Sequence, residues 1–125
     1  MIVGTGIDLI EVERIRLAVE RHGERFLARL FTPAELAYCQ AGGKAQFHRM
    51  AARFAAKEAA LKAIGLGLSG VKWTEVEVVR LPSGQPTLRL SDRLTQIAAE
   101  RSIRSFQLSL SHAQAYAIAQ VVALS

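Results

Sequence analysis

The sequence predicts an α+β fold, an antiparallel sheet packed against helices, in one domain spanning residues 1–125. Three features carry that expectation: an alternating apolar stretch at the start, a run of three helical segments with start and stop signals, and two pairs of strand-like segments separated by a fourth helix. With half of its 125 residues apolar, the chain can bury about two-thirds of its unfolded surface in one core.

The first strand reads from Ile2 to Leu9. Val3, Thr5, Ile7 and Leu9 point one way, while Ile2, Gly4, Gly6 and Asp8 point the other. Glycines in a strand mark a bulge or the close approach of another backbone or a ligand. Asp8 has two readings, the end of that cleared face or the cap of the next helix. Helical character runs from about Ile10 to His22, and Arg14, Arg21 and Arg25 fall within about 20° of one line if the helix continues past Gly23. That row is a solvated face or a basic edge able to dock an acidic helix, with Phe26 as an apolar anchor.

Thr32-Pro33-Ala34-Glu35 is a helix start, with Thr32 as cap, Pro33 at the first position and Glu35 closing a capping box. This helix is expected to reach Gln40. Gly42-Gly43-Lys44 forms a loop, and a long helix then runs to a glycine stop at Gly65, with Gly67 and Gly70 nearby. Trp73 to Arg80 and Thr87 to Leu90 read as strands around the turn Pro82-Ser83-Gly84-Gln85-Pro86. Ser91 or Asp92 caps a helix to about Arg101, with Leu94, Ile97 and Ala98 inward, and strands at Ser105–Ser111 and Ala115–Leu124 close the chain.

The long helix carries the chemistry. Phe47, Ala51, Phe54, Leu61 and Gly65 lie within roughly 40° of one line, and Glu58 falls in the same stripe. An ionised carboxylate there needs a cationic answer, since burying it alone would cost several kcal/mol or more. Lys62, four residues on, is the nearest in sequence. The pair is either an ordinary helix-surface ion pair or a carboxylate that holds a hard metal ion beside an ammonium that meets phosphate oxygens.

A formal charge of +5 fits an acidic protein, a phosphorylated ligand or nucleic acid as partner. Nucleic-acid binding is the weaker choice, because aromatics make up only 6% of the chain and do not interleave with basic residues. The single cysteine, Cys39, excludes an internal disulfide and reads as helix packing. No basic leader with a long apolar run and no 18-residue apolar stretch occurs, so a soluble cytoplasmic protein without membrane contact is expected. His112 shares a strand face with Phe106, Leu108 and Leu110 and reads as a core or edge histidine. No histidine pair has helical metal-ligand spacing.

Three blocks together, GIDLIEVERI at 6–15, RFAAKEAALKAIG at 53–65 and SLSHAQAYAIAQVVA at 109–123, resemble the holo-acyl-carrier-protein synthase family, the short type of 4′-phosphopantetheinyl transferase. FTPAEL at 31–36 and GQP at 84–86 extend the likeness nearly end to end. The resemblance implies a phosphopantetheinyl transferase fold and transfer of the phosphopantetheine arm of coenzyme A to a serine of acyl carrier protein, releasing adenosine 3′,5′-bisphosphate. It implies that Asp8 and Glu58 bind magnesium with the coenzyme A diphosphate, that Lys62 stabilises charge on the transferring group, and that Glu58 takes the serine proton directly or through a water. It further implies coenzyme A contacts from Lys44, Arg53, Lys62, Gly65, Gly84, Pro86 and His112, and carrier docking by Arg14, Arg21, Arg25 and Phe26. Members of the short family are typically homotrimers with active sites between subunits. A catalytically silent carrier-binding scaffold is the other class compatible with these residues.

Overall fold

The structure, a computed structural model, describes residues 1–67 and 70–125. Its elements are β1 (Ile2–Glu11), α1 (Val12–Leu30), α2 (Pro33–Gln40), a short 3-10 turn (Gly43–Ala45), α3 (Gln46–Ile64), a second 3-10 turn (Trp73–Glu75), β2 (Val76–Arg80), β3 (Pro86–Leu90), α4 (Asp92–Glu100), β4 (Ser105–His112) and β5 (Tyr116–Leu124). β1, β5 and β4 form a three-stranded antiparallel sheet in that order, and β2 pairs with β3 in a separate hairpin. The α+β expectation holds, with the strands divided between two sheets instead of one.

Helix α3 packs against the inner face of the three-stranded sheet, and its alanines make that possible. Ala51, Ala52, Ala55, Ala56, Ala59, Ala60 and Ala63 are all buried, so the helix backbone can approach the strands closely. β1 supplies the matching clearance. A Cβ on Gly6 would stand 1.8 Å from the Ala59 carbonyl oxygen, and one on Gly4 2.1 Å from that of Ala63. The cleared strand face read from the sequence therefore receives the backbone of α3. Gly6→Ala is expected to destabilise the chain by about 3 kcal/mol or more, because backbone stands on both sides of the contact and neither can yield cheaply; a urea midpoint equal to that of the parent would contradict it.

The long helix is enclosed on more sides than its predicted stripe. Phe47, Phe54 and Glu58 are only partly buried, while Lys57, off that line, is fully buried. Its Nζ donates to Glu35 Oε1 at 2.6 Å and to the Trp73 carbonyl at 3.1 Å. Glu35 is 1% exposed and also accepts from the backbone N–H of Thr32 and Val78. Both charges are thus paired and hydrogen-bonded, the condition under which a buried ion pair is tolerated. One carboxylate fastens α2, α3 and β2 together and also completes the predicted Thr32 capping box.

Three boundaries differ from expectation, one of them the end of α1, which reaches Leu30 instead of stopping near His22. β1 continues to Glu11, and α1 starts at Val12 without a side-chain cap bond, so Asp8 lies within a strand and caps nothing. Within α1, Gly23 adopts φ 60° and ψ −142°; a glycine takes this conformation at little steric cost, and it breaks the Arg14, Arg21, Arg25 line between Arg21 and Arg25. The predicted strand from Trp73 begins instead at Val76, after the 3-10 turn. Cys39 is fully buried, as read, and burial pushes its thiol up to about 11.

Candidate active site

The clearance at Gly4 and Gly6 sets Asp8, two residues further along the same face, against α3. Asp8 is largely buried, at 12% side-chain exposure. Lys62 Nζ donates to Asp8 Oδ1 at 3.3 Å and to the Ile7 carbonyl at 2.9 Å. The ammonium expected to answer Glu58 from the next helical turn therefore reaches across to β1. Its side chain remains 56% exposed, which leaves it able to turn toward a ligand.

Glu58 lies within hydrogen-bond reach of Asp8, and its carboxyl is pushed up to about 7. Burial is the largest cause, and hydrogen bonding to and charge repulsion from Asp8 follow, opposed by Lys62 and Arg14. Asp8 Oδ2 is buried and meets no donor among the described residues. A proton on Glu58 or a cation between the two carboxylates would supply what is missing.

The pair fits a hard divalent cation. Among the described residues no group of three or more His, Cys, Asp or Glu side chains gathers around a common point, so a metal here would have two protein carboxylates and would need other oxygens from elsewhere. Magnesium, which keeps several waters and binds through one or two carboxylates with substrate phosphates, suits that donor set.

Arg14 and Phe26 line a cavity of about 360 Å³ together with Asp8 and Glu58. Two of the four predicted docking residues thus border the same space as the carboxylate pair. Arg21 and Arg25 are exposed on either side of the Gly23 break.

The predicted coenzyme A residues are distributed over several places. Arg53, Gly84, Pro86 and His112 line one cavity of about 620 Å³. Lys44 borders a neighbouring cavity with His48. His48 and His112 stand between the two, ring centres 5.3 Å apart, and His48 Nε2 bonds the Gln114 carbonyl at 3.0 Å. Helical spacing could not reveal that histidine pair, which joins α3 to the end of β4. His112 itself is exposed, at the strand edge. Gly65 ends α3 in the left-handed conformation at φ 87°, and Arg101 donates to the adjacent Ile64 carbonyl at 2.7 Å.

The large cavity contains residues the sequence did not single out. Tyr38, Arg49 and Arg80 join Arg53 there, and among the described residues no Asp or Glu lines it. Burial holds the Arg53 guanidinium below its ordinary value. Arg49 and Arg53 are four apart on α3, so helical spacing carried half of this cluster; Tyr38 and Arg80 arrive from α2 and β2 through the tertiary fold. In the single chain this arginine cavity and the Asp8–Glu58 cavity share no lining residue.

The α+β domain thus carries a carboxylate pair beside a lysine and, apart from it, a basic cavity. The sequence profile of the 4′-phosphopantetheinyl transferase superfamily matches residues 4–121, and the chain belongs to that family. It is 50% identical to a holo-[acyl-carrier-protein] synthase of Koribacter versatilis, covering 98% of both chains, and 46% identical to one of Solibacter usitatus over the same shares. Among solved structures, the synthase of Neisseria meningitidis matches with a TM-score of 0.90 and 33% identity, covering all of both chains. The Helicobacter pylori synthase in complex with coenzyme A matches with a TM-score of 0.83 and 30% identity, covering 96% of this chain and 99% of the other.

Proposed function

We infer that this chain transfers the 4′-phosphopantetheine arm of coenzyme A to a serine of an apo-acyl carrier protein, giving the holo-carrier and adenosine 3′,5′-bisphosphate. The observation that carries the reading is the Asp8–Glu58–Lys62 constellation in a chain of this family. Residues 1–125 act as one transferase domain in the cytoplasm. Among the described residues no helix is long and apolar enough to cross a membrane.

Asp8 and Glu58 would hold magnesium, which when bound supplies Lewis acidity to the coenzyme A diphosphate. The carrier serine attacks the β-phosphorus; its oxygen bonds to phosphorus as the bond to the bridging diphosphate oxygen breaks. Glu58, directly or through a water, accepts the serine proton. Lys62 swings from Asp8 to offset charge on the transferring phosphoryl group. Arg53, with Arg49, Arg80 and His112 around the same cavity, receives phosphate of the nucleotide, and Gly84 and Pro86 border it. Arg14 and Phe26 dock the carrier beside Glu58, with Arg21 and Arg25 extending the basic surface. Lys44 and Gly65 complete the nucleotide surroundings.

The working form is a homotrimer with each active site between subunits. Two observations support this. The outer face of the three-stranded sheet leaves Ile7 58%, Leu9 59% and Tyr116 47% exposed with Val3 and Ile118 beside them, a surface suited to a second copy. The arginine cavity and the carboxylates are separate in one chain, so a neighbour can bring them together.

Intact mass of an apo-acyl carrier protein, incubated with this protein, coenzyme A and magnesium, tests the reaction. The carrier is expected to gain the mass of one phosphopantetheine, and the gain to disappear with a chelator. No gain with several carriers would overturn the transferase reading and favour the silent scaffold.

A further inference from the structure

Tyr38 on α2 is surrounded by three guanidinium groups that come from α3 and β2. The Cζ of Arg53 stands 3.8 Å from the centre of its ring, that of Arg49 4.3 Å and that of Arg80 5.2 Å. All three lie within the reach of cation–π attraction, about 6 Å. Arg49 Nη1 also donates to the Tyr38 carbonyl at 2.8 Å.

On the side of the 620 Å³ cavity none of the described carboxylates faces this convergence; on the other side Tyr38, Arg53 and Arg80 border a smaller cavity with Glu35 and Glu77. The nearby carboxylates are engaged elsewhere: Glu35 by Lys57 and two backbone N–H groups, Glu77 by Thr32 and Arg89. Arg53 is only 5% exposed, and its Nε is buried without a hydrogen-bond partner among the described residues. Like charges this close repel, and long arginine side chains can relieve the repulsion by swinging into water. The electron-rich tyrosine ring is the attraction all three share.

We propose that Tyr38 is a positioning residue for phosphate recognition, its ring holding Arg49, Arg53 and Arg80 converged before the nucleotide arrives. The inference rests on the coenzyme A reading above. Tyr38 acts through the guanidiniums and lies apart from the reacting carboxylates, so its contribution falls on substrate affinity and not on the chemical step. Preorganisation is what is lost when the ring is changed: the three cations must then be gathered during binding.

The test replaces Tyr38 in the full chain by phenylalanine and by phenylalanines carrying one, two and three ring fluorines. Fluorination drains the negative face while nearly preserving ring size, so a purely structural role would not follow it. The readouts are kcat and KM for coenzyme A and the Kd of adenosine 3′,5′-bisphosphate. Tyr38→Phe is expected to stay within about twofold of the parent, and KM and Kd to rise with each fluorine to about tenfold for the trifluorinated ring, kcat holding within about twofold. Tyr38→Met, which removes the ring while filling space, should match or exceed the trifluorinated loss. A flat fluorine series in a parent that binds coenzyme A overturns the inference, as does a fall in kcat at constant KM. A parent that binds neither coenzyme A nor the bisphosphate overturns the coenzyme A reading itself, and the Tyr38 role with it.

Discussion

Glu58→Gln is expected to lower transfer by about a thousandfold or more while making the metal-free chain more stable at pH 8 than its parent. The two effects share one cause. In the parent, burial first and the adjacent Asp8 second push the Glu58 carboxyl up to about 7 from the ordinary 4.5. Between those values the folded chain binds a proton that the unfolded chain releases, so the parent loses stability as pH rises from about 4.5 to about 7 and stays at the lower level above. Glutamine resembles the protonated acid at every pH. Its advantage over the parent is therefore small near pH 4, grows through that window and is complete by pH 8. Because Glu58 is only partly buried, solvent screening reduces the effect to about 1–2 kcal/mol. Glutamine keeps one oxygen but loses the charge that holds a divalent cation and the basicity that takes the serine proton. Urea midpoints at pH 5 and pH 8 in chelator, with turnover at pH 8 in magnesium, check both halves. Activity within tenfold of the parent would remove Glu58 from the proposed chemistry, and a stability difference independent of pH would contradict the raised carboxyl.

Features carried by local chemistry were legible in the sequence. Thr32 and Glu35 form the capping box that their spacing announced, and Gly65 takes the left-handed stop. The alternation Gly4, Gly6, Asp8 identified a cleared strand face, and its purpose emerged when Ala59 and Ala63 of α3 filled it. Glu58 attracted notice for the right reason, an acidic side chain on a helix with much buried surface. Lys62, the cation favoured by helical spacing, does offset its charge, but the hydrogen bond of Lys62 goes to Asp8, a contact between residues 54 apart that helical spacing does not show. Lys57 is likewise invisible to helical spacing, because its partner Glu35 lies 22 residues back, on another helix. Periodicity records which face a residue occupies; which faces meet depends on topology. The separation of the β2–β3 hairpin from the main sheet, the strand order β1-β5-β4 and the approach of Tyr38 and Arg80 to Arg53 belong to that second kind of information.

Mixing two inactive variants is expected to restore activity, and this result would distinguish a shared active site from one complete within each chain. The Asp8–Glu58 pair and the arginine cavity share no lining residue, and the proposed trimer joins one protomer's carboxylates to its neighbour's arginines. Asp8→Asn combined with Glu58→Gln removes the first half-site, and Arg53→Ala combined with Arg80→Ala removes the second. Each double variant alone has every site broken. After co-expression in equal amounts, random cyclic assembly places an intact carboxylate pair beside an intact arginine cavity at about one site in four, so roughly a quarter of parental turnover per site should return. The remaining sites carry one defect or both. A site contained within one chain would predict no recovery at any mixing ratio. Skewing the ratio should lower the yield as the product of the two fractions, a curve with its maximum at equal amounts. If each protomer instead used its own arginines, activity would stay at the sum of the two residual rates, and the apolar outer sheet face would need another explanation.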